Sequence, residues 1–263
     1  MSGSPFHTFV VPAHGRSPHL VECLASLRAQ SRPSRVVVAT STPYEGLEAL
    51  VVSFGAELAV HAPNVGIGRD WNFALAQATT PWVTVAHQDD VYLPGFVEAT
   101  LTLADAVPDA TLVLTGYAEL LRGTTRAHTP MLWIKRLLLE LGFLGRRVVA
   151  SRDTKRRLLR FGCPIPCPSV TLRLDRTALR FREDLRVNLD WEAWLRLATA
   201  PGAFAYSRER LLLHRIHAGS ETSAGIRGGV RAREDLMMFE LLWPKPIARL
   251  LARGYALSYA SAS

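Results

Sequence analysis

Two hydrophobic periods alternate along the first 107 residues. Short β-branched runs at His7-Thr8-Phe9-Val10-Val11-Pro12 and Arg35-Val36-Val37-Val38-Ala39 predict strands, the second apolar throughout as parallel sheets require. Between them Leu20, Cys23, Leu24 and Leu27 fall at i, i+3, i+4 and i+7, which predicts a helix from about Ser17. The alternation continues with a helix over Glu45 to Phe54, a strand over Glu57 to His61, and a loop, Asn64 to Asp70, entering a helix with the stripe Trp71, Ala74, Leu75 and Ala78. Trp82-Val83-Thr84-Val85-Ala86 follows Pro81 as another buried strand, and Leu93-Pro94-Gly95-Phe96 opens the next helix, since proline is tolerated in a first turn. Strands alternating with helices predict an α/β fold with a doubly wound, Rossmann-like, mainly parallel sheet flanked by helices.

After a strand at Thr111 to Tyr117 the pattern changes. Met131 to Leu141 is amphipathic, with Trp133, Ile134, Leu137, Leu138 and Leu141 apolar, and Ser151 to Phe161 reads as a basic helix. Residues 122–162 are therefore expected to form a basic helical insertion over the sheet. Cys163-Pro164-Ile165-Pro166-Cys167-Pro168 is too proline-rich for a helix and leads into a strand at Ser169 to Leu174. Asn188-Leu189-Asp190 precedes a helix whose apolar face is Trp191, Trp194, Leu195 and Ala198. Phe204 to His217 is expected as strand and turn, Gly219 to Ser223 as loop, and Arg231 to Leu242 as helix; Trp243-Pro244-Lys245-Pro246 punctuates before a last helix to about Tyr259. These expectations divide the chain into a main domain, 1–223, and a C-terminal helical extension, 224–263.

Charge modifies this picture more than composition does. A chain of 263 residues with 48% hydrophobic and 21% charged residues can bury a large core and is not a disordered protein. The net charge is +8, yet Arg122 to Arg160 alone holds eleven Lys or Arg against Glu140 and Asp153. Such a block attracts anionic partners: nucleic acid, acidic lipid or phosphorylated substrates. It lacks interleaved aromatics for base stacking, so nucleic acid is not expected. Cys23, Cys163 and Cys167 give neither a disulfide framework nor a zinc site and are read as reduced and structural. Met1 to Pro12 lacks the pattern of a secretory leader and no apolar run reaches membrane-span length, so a cytoplasmic protein is expected, with a peripheral place at the inner face of the cell membrane left open by its charge.

The candidate chemistry lies in Pro81 to Pro94, where the strand ends in His87-Gln88-Asp89-Asp90. Carboxylates at the carboxyl end of such a strand sit where open α/β sheets bind ligands. Adjacent carboxylates resist ionising together unless a cation compensates them, which suits a hard divalent metal that also grips phosphate. Gly66-Ile67-Gly68 is not a dinucleotide fingerprint, because Trp71 occupies the third glycine's place, and no GxxxxGK[ST] is present.

Five segments in order resemble glycosyltransferase family 2, the inverting nucleotide-diphospho-sugar enzymes with the GT-A fold. They are Val10 to His14, Asn64 to Asn72, His87 to Asp90, Leu189 to Glu192, and Arg215 to Thr222. The resemblance implies that Pro12, Ala13 and His14 line the nucleotide pocket, with Thr40 standing where the family commonly has an acid for base or ribose. It implies that Asn64, Gly68, Arg69 and Asp70 close over the sugar-nucleotide. Asp89 matches the second acid of the family's DxD motif and Asp90 the acid often found after it, while His87 replaces the first. Asp190 aligns with the catalytic base, with Leu189 in place of the preceding acid and Trp191 and Glu192 beside it at the substrate. His217 matches a histidine near the diphosphate, which makes Asp89, Asp90 and His217 the implied metal ligands and Mn²⁺ or Mg²⁺ the implied cofactor.

The residues alone leave alternatives. Asp190 is also a natural N-cap, His217 a turn residue, His87 a polar strand end, Trp191 and Trp194 core, and Arg69 and Asp70 a solvated helix start. The expected activity is transfer of a sugar, of hexosyl or deoxyhexosyl type, from a nucleotide-diphospho-sugar donor to a hydroxyl on a glycan or lipid-linked glycan, as in cell-envelope polysaccharide biosynthesis. Acids missing at His87, Leu189 and Thr40 keep a non-catalytic nucleotide-sugar or glycan binding protein as the rival. The apolar face of 131–141 is expected either to meet an anionic membrane or to pack on the sheet with its basic neighbours at the rim.

Overall fold

In the computed structural model, which describes residues 6–260, a ten-stranded mixed sheet lies between two layers of helices. Residues 1–5 and 261–263, the outer ends of the stretch read as leaderless and of the C-terminal extension, lie outside the described residues. The strands are β1 (His7–Ala13), β2 (Arg35–Thr40), β3 (Glu57–Val60), β4 (Trp82–Val85), β5 (Val91–Tyr92), β6 (Ala110–Leu121), β7 (Thr124–Arg126), β8 (Val148–Val149), β9 (Val170–Arg173) and β10 (Ala203–Arg215). The helices are α1 (Leu20–Arg28), α2 (Leu47–Ser53), α3 (Ile67–Ala76), α4 (Phe96–Ala106), α5 (Pro130–Phe143), α6 (Arg152–Leu158), α7 (Leu189–Thr199), α8 (Glu221–Arg227), α9 (Val230–Glu240) and α10 (Lys245–Ala260).

The main path through the sheet runs β3-β2-β1-β4-β9-β6-β10-β5. β3, β2, β1 and β4 are mutually parallel, and β9 runs antiparallel to both β4 and β6. Two reversals restore the direction, so β6 and its parallel neighbour β10 point the same way as the first four strands. The carboxyl ends of β1, β2, β4, β6 and β10 therefore share one edge, where ligands of open α/β sheets bind. The first four strands match the apolar runs closely. β9 lies within the strand expected at Ser169 to Leu174, but its antiparallel place between β4 and β6 is announced by no periodicity, and neither is β5, because their partners are far away in sequence.

Each sheet face carries its own core. Leu20, Leu24 and Leu27 of α1, Leu47 and Val51 of α2, and Phe96, Val97 and Leu101 of α4 cover one side. The other is covered by Trp71 of α3, Leu139 and Phe143 of α5, Trp191 and Trp194 of α7, and Met238, Phe239 and Ala248 of α9 and α10. The predicted apolar face of α7 is buried as expected.

The segment 122–162 is less purely helical than its composition suggests. β7 and β8 pair with β6 and β10, so strands tie it to the sheet on both sides of α5. Thr129 caps α5 by accepting from Leu132 N, with Pro130 in its first turn, and Ser151 caps α6 by accepting from Thr154 N. Lys155 departs from the expected basic surface. It is buried, and its Nζ donates to the carbonyls of Leu197 (3.3 Å), Ala200 (2.6 Å) and Gly202 (2.7 Å), which closes the C-terminus of α7.

Candidate active site

The edge begins with the loops after β1 and β2. His14 N donates to Gln88 Oε1 (3.2 Å) and Gln88 Nε2 donates back to His14 O (3.3 Å), so the loops following β1 and β4 hold one another. Gly15 N donates to Thr42 Oγ1 (2.7 Å), and Thr42 N to Thr40 Oγ1 (3.0 Å). Thr40 thus shapes its own loop. Ser41 Oγ beside it is buried without a hydrogen-bond partner.

Asn64 stays exposed, with Oδ1 accepting from Gly66 N (3.2 Å) and Nδ2 lying 3.5 Å from His14 Nδ1. Gly68 is packed on backbone, because a Cβ there would meet Arg182 O at 2.6 Å. Only glycine permits that approach. Asn72 pins the same loop by accepting from Phe181 N (2.7 Å) and donating to Phe181 O (2.9 Å). Arg69 is exposed, whereas Asp70 is buried with Oδ1 3.0 Å from His61 Nε2.

The two carboxylates after β4 diverge. Asp89 Oδ2 pairs with His217 Nε2 at 2.6 Å, and both side chains keep some exposure. Asp90 has none. Its Oδ1 accepts from Arg215 N (2.8 Å) and from His214 Nδ1 (3.1 Å), an arrangement created by the short pairing of β5 with β10. Arg215 Nε donates to Asp89 O (2.7 Å), and its guanidinium also pairs with Glu22. Asp90 therefore holds the turn that presents Asp89 and His217, with its own oxygens directed at β10.

Electrostatics separate Asp89 from the other expected acid. Burial works to raise the Asp89 carboxyl, but His87, His217 and His214 around it hold it below the ordinary carboxylate value. Asp190 is pushed the other way. Part of its surface still meets solvent, yet protein crowds the carboxyl, and this burial raises it above its ordinary value despite Oδ1 accepting from Trp191 N (2.7 Å) and the pull of Arg231, His87 and Lys135. Asp190 sits inside the first turn of α7 and is not its cap. That position belongs to Asn188. The preceding loop is fixed from α9, where the buried Glu234 carboxylate accepts from the backbone N–H groups of Arg186 (2.8 Å), Val187 (2.9 Å) and Asn188 (2.9 Å). Asp235 accepts from Asn188 Nδ2 (2.7 Å). Sequence reasoning missed Glu234 and Asp235, which carry no local motif.

Two expected substrate residues are committed elsewhere. Trp191 is fully buried, donating from Nε1 to Leu159 O (3.1 Å) and packing edge-on to Phe239, which makes it core. Glu192 is buried against Arg196 (2.9 Å). His87 lies near the acids: its ring is tilted at 42° to that of Trp71 with centroids 5.1 Å apart, its Nδ1 is 3.9 Å from Asp90, and its buried Nε2 has no hydrogen-bond partner. Cys23, Cys163 and Cys167 are free thiols, and burial pushes each well above its ordinary value, which keeps them protonated and unreactive. Next to the edge, under α5, a cavity of about 290 Å³ is lined by Tyr117, Lys135, Arg136, Tyr206, Arg208 and Arg210.

Among the described residues no group of three or more His, Cys, Asp and Glu side chains could by itself hold a metal ion. Asp89 and His217 are the residues that could hold a cation jointly with a substrate, since Mg²⁺ and Mn²⁺ are commonly bound by one or two protein ligands together with substrate phosphates.

The fold has known counterparts. S. aureus TarS, residues 1–349, superposes with a TM-score of 0.60 at 14% identity over 94% of this chain and 69% of that one. The same TarS piece in complex with UDP-GlcNAc gives 0.61 at 16% over 94% and 70%. The mannosyltransferase PcManGT from Pyrobaculum calidifontis, in complex with GDP-Man and Mn²⁺, gives 0.64 at 16% over 100% and 76%. These likenesses establish the fold, the GT-A architecture. No curated protein matches the chain. The family model described as Glycosyl transferase family 2 matches residues 8–174, more than half of the sequence, and the chain accordingly belongs to that family.

Proposed function

We propose that the protein is an inverting glycosyltransferase that moves a hexosyl or deoxyhexosyl group from a nucleotide-diphospho-sugar to an acceptor hydroxyl. The observation that carries this reading is the opposed setting of two aspartates. Asp89 is held anionic beside His217, whereas Asp190 has a carboxyl raised by burial. Groups whose environments push their acidities apart divide the work of a reaction. The relatives bound to UDP-GlcNAc and to GDP-Man with Mn²⁺ support a donor of this class.

In this mechanism the loops of Pro12 to His14 and Thr40 to Thr42 receive the nucleotide, with Asn64, Arg69 and Asp70 on its other side. Asp89 and His217 would hold a divalent cation, which supplies positive charge at the leaving diphosphate when bound. Asp90 orients that pair through Arg215 and His214. Asp190 takes the proton of the acceptor hydroxyl, and its raised carboxyl brings its basicity closer to the working pH. A single displacement inverts the anomeric carbon. The acceptor is proposed to be a glycan or a lipid-linked glycan.

Nucleoside diphosphate release by the purified chain, with UDP-GlcNAc and GDP-Man as donors and with Mn²⁺ or excess EDTA, tests the proposal. Release that needs the cation supports it. Full release in EDTA contradicts the role of Asp89 and His217. Saturable donor binding with no release beyond buffer hydrolysis, across donors and acceptor glycans, would instead make the chain a nucleotide-sugar binding protein.

A further inference from the structure

Helix α5 has two faces of different chemistry. Leu132, Leu139, Gly142 and Phe143 are buried, and Lys135 on that side lies with its Nζ 5.7 Å from the centre of the Tyr117 ring. The opposite face carries Trp133 at 63% exposure, Ile134 at 52%, Leu137 at 57% and Leu141 at 57%, continued by Leu144 at 55%. Residues 133, 137 and 141 fall at i, i+4 and i+8, so the apolar positions form one continuous stripe facing solvent. A soluble surface seldom shows so many bulky apolar side chains together without a partner.

Charge around the stripe selects that partner. Exposed Arg122 and Arg126 precede α5, exposed Arg146 and Arg147 follow it, and α6, which packs on α5, presents Arg152 and Arg157. The one acid of α5, Glu140, is already paired with Arg208 at 2.7 Å. A second copy of this chain would bring one cationic border against another. An anionic bilayer instead neutralises the arginines while its acyl boundary takes up the apolar stripe, which is how basic amphipathic helices lie in an interface. Among the described residues no helix is long and apolar enough to cross a membrane, so the contact is one of surface, not span.

We infer that α5 is an interfacial helix that seats the protein on an anionic membrane, with Trp133, Ile134, Leu137, Leu141 and Leu144 in the headgroup and acyl boundary. The inference goes beyond the transferase reading and does not depend on it.

The test is sedimentation of the full chain with phosphatidylglycerol-containing vesicles and with neutral phosphatidylcholine vesicles, at about 0.05 M and about 0.5 M salt. The wild type is expected to sediment with the anionic vesicles at low salt, weakly at high salt, and not with the neutral ones. Leu137→Ser with Leu141→Ser should reduce partition at least tenfold while leaving nucleoside diphosphate release in solution unchanged, which separates this claim from the catalytic one. Arg146→Gln with Arg147→Gln should reduce it by about fivefold per charge removed. Wild-type protein remaining in the supernatant with anionic vesicles at low salt would overturn the inference. So would unchanged partition in the Leu137/Leu141 variant, or a dimer in sedimentation velocity that those substitutions dissociate.

Discussion

Asp89 and Asp190 are the same residue type in opposite settings. Asp89 stands at the end of a central parallel strand among three histidines and is held below the ordinary carboxylate range. Asp190 stands in the first turn of a helix whose neighbouring residues Trp191 and Trp194 are core, and burial raises it. Their supports differ as well. The Asp89 turn is built from Asp90, Arg215 and His214, all in or beside the sheet. The loop before Asp190 hangs from Glu234 on α9, a helix outside the sheet. The difference teaches that one region is arranged to keep a charge and the other to accept a proton, and it can be broken or sharpened one residue at a time.

The largest effect is expected from Asp190→Asn. Without a proton acceptor, kcat should fall by about 10²-fold or more, the usual range for positioned proton transfer. Retention of near wild-type kcat in initial-rate assays would leave Asp190 a structural helix-start residue. His217→Ala comes next: the Mn²⁺ concentration for half-maximal activity should rise by roughly tenfold, in keeping with the loss of one imidazole from a cation site. An unchanged cation requirement would remove His217 from the site.

The pH profile sharpens the contrast with a smaller effect. Because Asp190 must be ionised to act and is raised by burial, the acid limb of kcat/KM should fall at a pH above the ordinary carboxylate range of about 4. A limb at or below that range would assign the base to another group. The smallest expected effect is in stability, and there the two sites should move in opposite directions. For Asp89, held below its unfolded value of 3.8, the ion-pair contribution is present above that value and is lost as pH falls through the folded one. Asp90 supports the same turn, but Asp89→Asn alone should lower Tm at pH 7. For Asp190, raised in the fold, ionisation costs stability as pH rises, so Asp190→Asn should raise Tm at pH 7. Each kcal/mol corresponds to about 2–4 °C in a domain of this size. Shifts of the same sign in differential scanning calorimetry would contradict the opposed settings.

The two regions were also unequally legible in the sequence. Around Asp89, period and position suffice: a buried strand ending in a polar cluster identifies the ligand edge, and the alternation of strand and helix gives the parallel block β3-β2-β1-β4. The different commitments of Asp89 and Asp90 were not legible, because they arise when β5 pairs with β10 more than a hundred residues away. Around Asp190 less was readable. Periodicity gives the apolar face of α7, but Glu234 and Asp235 act through backbone N–H groups of a loop remote in sequence, and nothing local marks them. Within the basic block, composition counted Lys155 with Arg156 and Arg157, although its ammonium is enclosed by three carbonyls of the α7 C-terminal turn and the loop beyond it. A charged residue's surroundings are a property of tertiary packing. Likewise the amphipathic pattern of α5 announced two faces without saying which would be inward, and the structure turns Leu139 and Phe143 in and Trp133 and Leu137 out.

Donor binding in the paired variants tests the division of labour most directly. Titrating a turned-over donor, in the presence of Mn²⁺, into Asp89→Asn and Asp190→Asn by isothermal calorimetry separates recognition from chemistry. The account predicts that Asp190→Asn binds the donor like the wild type while turnover is lost, and that Asp89→Asn loses the Mn²⁺-dependent part of the affinity. Equal loss of donor affinity in both variants, or undiminished Mn²⁺-dependent binding in Asp89→Asn, would contradict it.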